Sequence, residues 1–154
     1  MPNQTTNYKL IKPLPSELYS IEVFNENMDI IDDTLKKHID GMTPVCLWSG
    51  DVGNGANITL NESIWNYKYA FAVIGQRETA LNPILKDTNS QKGFSATEVD
   101  DSKRQVTYSA SVTFAENGLS ATIGKCVYVS HAAGNNHPGG GDARVNAIYG
   151  VKND

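Results

Sequence analysis

The sequence predicts a mainly β protein. An N-terminal extended segment and a short α-helix, forming a trimeric coiled-coil stalk, precede an antiparallel β-sandwich head of jelly-roll-like kind. Three observations predict this. Residues 21–38 place Ile21, Phe24, Met28, Ile31, Leu35 and His38 at strict 3,4 spacing, which is the stripe of one helix. From about residue 44 the pattern changes to period two, rich in β-branched and aromatic residues. Glycine and asparagine turns then recur at roughly 8–12-residue spacing, as in a sandwich or barrel. The expected division is residues 1–43 for attachment and trimerisation and 44–154 for the head.

Residues 1–19 are predicted to be extended. Pro13 and Pro15 forbid a helix there, and Leu10, Ile11, Leu14, Leu18 and Tyr19 supply apolar side chains that suit docking on a neighbouring copy or a larger assembly. Ser20 is a good N-cap for the helix that follows, with Glu22 in its first turn. Lys36, Lys37 and His38 are placed in the last turn, Gly41 as the stop, and Pro44 forbids continuation. On a heptad frame Ile21, Met28 and Leu35 are a positions, and Phe24, Ile31 and His38 are d positions. So narrow a stripe suits a seam between copies. Ile30 and Ile39 lie just off it and widen it, which fits a three-stranded bundle and equally a helix packed on its own β domain.

The expected strands are 45–49, 56–60, 69–76, 81–86, 92–99, 104–114, 118–123, 125–130 and 144–152, with one helical turn in 61–67. Within 104–114, Val106, Tyr108, Ala110, Val112 and Phe114 alternate with Gln105, Thr107, Ser109, Ser111 and Thr113. One face is apolar and the other carries small polar groups, as in an antiparallel strand with one solvated side.

Composition narrows the function. A net charge of −4, with no basic patch interleaved with aromatics, argues against nucleic acid and anionic membranes as partners. No run reaches the ~18 apolar residues of a membrane span. Residues 1–6 are polar and lack the basic-then-apolar order of a secretory signal, which predicts synthesis in a cytoplasm without export by that route. Cys46 and Cys126 both sit in apolar strand-like runs and are expected to be two buried thiols.

Catalytic motifs are missing from the sequence. It contains no phosphate-binding glycine loop, no G-x-S-x-G, no C-x-x-C and no H-E-x-x-H. Asp100 and Asp101 are adjacent and look like a turn rather than a facing carboxylate pair. A non-enzymatic protein without cofactor or bound metal is therefore expected. The segment 131–142, HAAGNNHPGGGD, is expected to be a functional loop holding His131, Asn135, Asn136, His137 and Asp142. Two histidines and an aspartate can bind a divalent metal, or amide and imidazole groups can serve sugar hydroxyls; the plain alternative is a glycine-rich surface loop. Trp65 and Tyr67 are candidates for a sugar-stacking platform, whereas Trp48 lies in an apolar strand and suits the core.

The motifs T-T-N-Y-x-L-x-K-P and F-N-E-N-x-D-I-I-D within residues 5–40 resemble the opening of tail-fibre or receptor-binding proteins of tailed bacteriophages and prophages of Gram-positive hosts. The terminal V-N-A-I-Y-G-V-K of residues 145–152 resembles the last strand of small phage tail proteins, and residues 47–60 resemble the first hairpin of their head domain. The resemblance implies a homotrimer at the virion tail tip, made in the host bacterial cytoplasm. Its N-terminus would engage tail or baseplate proteins, and its heads would bind host cell-wall carbohydrate. A structural tail or baseplate component that binds only other virion proteins is the rival expectation. A small wall-cleaving enzyme using Asp100, Asp101 or Asp142 is a further one.

Overall fold

The computed structural model describes residues 3–13, 20–84, 91–99, 104–131 and 139–152. The chain divides into two compact units, one ending at Thr43 and the other beginning at Pro44.

The first unit opens with a hairpin. β1 (Asn3–Gln4) and β2 (Ile11–Lys12) pair antiparallel, with Gln4 opposite Ile11. The expected extended conformation is found in these two strands, and a turn between them folds the segment back on itself. Residues 6–8 turn, Lys9 takes a positive φ of 59°, and the Thr5 and Leu10 groups close the turn: the Thr5 amide donates to the Leu10 carbonyl at 2.9 Å, and the Leu10 amide to the Thr5 hydroxyl at 2.9 Å. Leu14, Pro15, Leu18 and Tyr19 lie outside the described residues.

Helix α1 (Ile21–Met42) starts where its cap predicts. The Ser20 hydroxyl accepts from the Val23 amide at 3.3 Å and donates to Glu22 at 2.7 Å, satisfying one of the orphan donors of the first turn. That bond holds the Glu22 carboxyl below its ordinary range. The far end differs from expectation. Gly41 lies inside the helix and is buried, the helix continues to Met42, and Thr43 caps it through its hydroxyl and amide on the Ile39 carbonyl. Termination is therefore the work of Thr43 and Pro44. The two added residues leave Lys36, Lys37 and His38 short of the last turn, and Lys36 forms an exposed i,i+4 pair with Asp40 at 2.8 Å.

The second unit holds two antiparallel sheets. In the first, β3 (Val45–Val52) pairs with β12 (Val145–Val151), and β12 with β5 (Tyr69–Ile74). The short β6 (Arg77–Glu78) and β7 (Asn82–Pro83) both lie against β5. The second sheet runs from β8 (Gln91–Val99) through β9 (Gln105–Phe114) to β10 (Ser120–His131). β4 (Asn57–Thr59) pairs with the start of β10, and β11 (Gly139–Asp142) with residues 127–130 of the same strand. A 3-10 turn spans Ile64–Asn66.

Both sheets feed one buried cluster. Leu47, Ala70, Ala72, Ile74, Val145 and Ile148 come from the first; Phe94, Ala110, Val112, Phe114, Ile123 and Cys126 come from the second. The alternation expected along 104–114 appears as burial of Val106, Ala110, Val112 and Phe114, while Tyr108 on the same face is half-buried. Two expected strands, 118–123 and 125–130, are one strand broken by a bulge between Ile123 and Cys126. The Lys125 amide donates to the Ser111 hydroxyl, and the Cys126 amide to the Asn54 side-chain carbonyl, so the extra residue leaves neither donor unpaired. The expected loop also contains β11. Its glycines carry little intrinsic strand preference, but the edge of β10 supplies a ladder for them. Only one of the two cysteines differs from expectation. Cys126 is buried, which raises its thiol pKa, whereas Cys46 is exposed; both are free.

Candidate functional site

The expected seam residues are all on the surface: Ile21, Phe24, Met28, Ile31 and Leu35 are between 37 and 57 % exposed, and His38 is exposed too. Ile39, just off the seam, and Met42, one turn beyond it, are exposed as well. The half-buried face of the helix is a different one: Val23, Asn27, Ile30 and Thr34, spaced 4, 3 and 4. Asn27 explains part of it. Its side-chain amide donates to the Ile11 carbonyl at 2.9 Å and accepts from the Ile11 amide at 2.8 Å, binding the hairpin to the helix as a strand would.

The expected sugar-contact residues do not come together as one site. Trp65 is half-buried. Its indole N–H donates to the Glu116 carbonyl at 2.9 Å and its ring meets Phe114 edge-on at 6.0 Å, so it anchors the 115–118 turn. Gly118 at the base of that turn has φ +70°, a conformation L side chains rarely adopt, and an added Cβ would strike Trp65. Tyr67 is only 3 % exposed and belongs to the core cluster, which corrects its expected place on a binding surface. Among the described residues its hydroxyl has no partner at hydrogen-bond geometry. Burial, and after it the nearby Glu62 carboxylate, push its phenol pKa well above the ordinary value. His131 ends β10, exposed and opposite Gln105. Asn135, Asn136 and His137 lie outside the described residues, as do Asp100 and Asp101. Among the described residues no group of three or more His, Cys, Asp or Glu stands close enough to hold a metal ion.

Asp142 does line a cleft of about 610 Å³, in the company of residues the sequence pattern did not single out. The first sheet contributes Asp51 from β3, Asn146 from β12, Gly75 and Gln76 from the β5–β6 turn, and Arg77 from β6. The second contributes Tyr108 from β9 and Tyr128 from β10, which lie directly opposite each other in the ladder. Tyr108 shares the inward face of Ala110, and Tyr128 that of Cys126, so the face that is core along one stretch becomes cleft floor along the next. The two rings are 6.1 Å apart and tilted by 36°.

Charged pairs form the walls. Arg77 meets Glu98 through two contacts of 2.8 Å and sits 5.1 Å from the centroid of the Tyr108 ring. Glu98 keeps the Arg77 guanidinium pKa raised, and burial raises that of the Tyr108 phenol. On the other side Arg144 donates to the Asp51 carboxylate and to its backbone carbonyl, each at 2.6 Å. Asn146 donates to the same carboxylate at 3.3 Å and accepts from the Gln76 amide at 3.1 Å. Gly75 makes this turn feasible, with φ +56° and an ideal Cβ position only 2.9 Å from the Tyr108 ring. The Asn54 amide donates to Asp142 at 3.4 Å, so the residue that supports the β10 bulge also positions this carboxylate. The Arg144–Asp51 pair is exposed and the Arg77–Glu98 pair half-buried, and each contributes on the order of 1 kcal/mol to stability. What they provide is fixed direction: oriented acceptors and donors around aromatic faces, an arrangement suited to a polyhydroxylated ligand.

A sequence-level signal for the cleft existed in part. Tyr108 was legible as the one polar-tipped side chain on an otherwise apolar strand face. Nothing in the spacing of Asp51, Arg77, Tyr128 or Arg144 announces that they meet. No protein-family model, no curated protein and no solved structure matches the chain.

Proposed function

We propose that this protein is a receptor-binding component of a phage tail tip, a non-enzymatic homotrimer that attaches the virion to host cell-surface glycan. α1 forms a three-stranded coiled-coil stalk with two sister copies. The N-terminal hairpin faces the tail or baseplate, and the β unit is a sandwich head of jelly-roll-like kind that carries the sugar site. The protein is made in the host cytoplasm and acts in the virion.

The observation that carries this reading is the apolar ridge of α1. Seven large apolar side chains, from Ile21 to Met42, are left more than a third exposed on a helix that is capped at both ends. A soluble chain rarely displays so continuous a ridge without a partner, and all its members but Ile39 keep the a and d spacing of a helical seam. Threefold closure covers such a ridge in every copy at once. Trimerisation also serves binding, because a shallow cleft holds a sugar weakly and three clefts on one stalk gain avidity through effective concentration.

Sedimentation equilibrium of the full chain at micromolar concentration tests the assembly. The expected mass is about three times the 16.8 kDa chain, and a single-chain mass would refute the reading. Silence of a trimer on every host wall polymer would instead favour a structural tail or baseplate component that binds other virion proteins.

A further inference from the structure

We infer that the cleft between Tyr128 and Asp142 takes an uncharged sugar ring and discriminates against phosphate-bearing glycans, an inference that rests on the glycan-binding reading above. Tyr128 is the exposed platform. It is 37 % exposed, whereas its neighbour Tyr108 is half-buried with the Arg77 guanidinium over its ring. Pyranose C–H surfaces pack on such a ring, and hydroxyls at its rim can donate to the Asp142 carboxylate.

Selectivity follows from the charges. Asp51 and Asp142 cancel Arg77 and Arg144 within the lining, so the cleft offers an anion no net attraction. Both guanidiniums are committed as well: Arg77 to Glu98 by two contacts of 2.8 Å, and Arg144 to Asp51 at 2.6 Å. A phosphate could reach only the N–H groups these pairs leave over, and there it would meet the repulsion of the carboxylate already seated beside each guanidinium. A neutral sugar uses the same groups without disturbing them, since their remaining lone pairs and N–H groups suit hydroxyls.

An array decides it. Full-length protein is applied to neutral hexose, N-acetylhexosamine and deoxyhexose oligosaccharides beside poly(glycerol phosphate) and poly(ribitol phosphate), at about 0.05 and 0.5 M NaCl. The expected result is binding to at least one neutral glycan that changes less than about twofold between the two salts. It should fall about tenfold or more in Tyr128→Ala and in Asp142→Asn, and stay within about threefold in Tyr128→Phe, which keeps the ring. Thermal melts of each variant confirm folding. Preferential binding of the phosphate polymers would overturn the selectivity and leave the glycan-binding reading standing. Neutral binding that is indifferent to both Tyr128→Ala and Asp142→Asn would overturn the site. Silence on every spot would remove the glycan-binding reading and this inference with it.

Discussion

Tyr67 condenses the residue-scale physics of this protein. Its ring is needed by the core, and an added Cβ on Gly150 would run into it, yet its hydroxyl is buried without a hydrogen-bond partner among the described residues. A buried hydroxyl that lacks a well-formed hydrogen bond recovers little of the hydration it forfeits, even with the Glu62 carboxylate nearby. Tyr67→Phe is therefore expected to leave stability at pH 7 unchanged or to raise it by about 0.5–1 kcal/mol, read from urea denaturation. The same environment fixes a pH dependence. Because the folded pKa is raised above the ordinary 10.0, the contribution is fully present below that value and is lost as pH rises through the higher folded value. Stability should therefore decline above about pH 10, and circular dichroism at rising pH should find the decline blunted in Tyr67→Phe. An unchanged alkaline profile in the variant would mean that other groups control it.

Among the elements, the N-terminal hairpin is the informative one. β1 and β2 contribute two residues each, far too few to persist in water alone. They are held because the Asn27 side chain presents one donor and one acceptor to Ile11, imitating a third strand from the flank of a helix. Asn27→Ala should keep the helix, since alanine is the better helix former, but release the hairpin. Hydrogen exchange at the Ile11 amide is expected to speed up by about tenfold, equivalent to ~1.4 kcal/mol, with ellipticity at 222 nm unchanged or larger. Exchange at the wild-type rate would show that the hairpin is fixed elsewhere.

For the whole molecule, the question is what covers the ridge of α1. Ile31 is the least exposed of its members and lies at its middle. In a seam it is a d position surrounded by its symmetry mates, where a carboxylate would be desolvated three times over. Ile31→Glu is accordingly expected to abolish the trimer and shift the sedimentation mass to one chain, with the near-ultraviolet signal of the β unit retained. Its exposure means that a monomer would tolerate the same substitution within about 0.5 kcal/mol, so an unaltered mass would count against the seam.

The sequence by itself determined the elements. The 3,4 spacing after Ser20 set a helix and its start, and the alternation from Val106 to Phe114 set a strand and its inward face, because both are periodicities of neighbouring residues. It did not determine where elements are completed by something distant. Gly41 signals a stop in isolation but sits inside a helix capped by Thr43. Three successive glycines signal a loop but become β11 on the waiting edge of β10. The cleft is the extreme case. Asp51, Arg77, Tyr108, Tyr128, Asp142 and Arg144 lie across some ninety positions and share no local pattern. Only sheet order and register bring them to one place, and those depend on which strands find each other, a contest among non-local contacts that spacing along the chain does not encode.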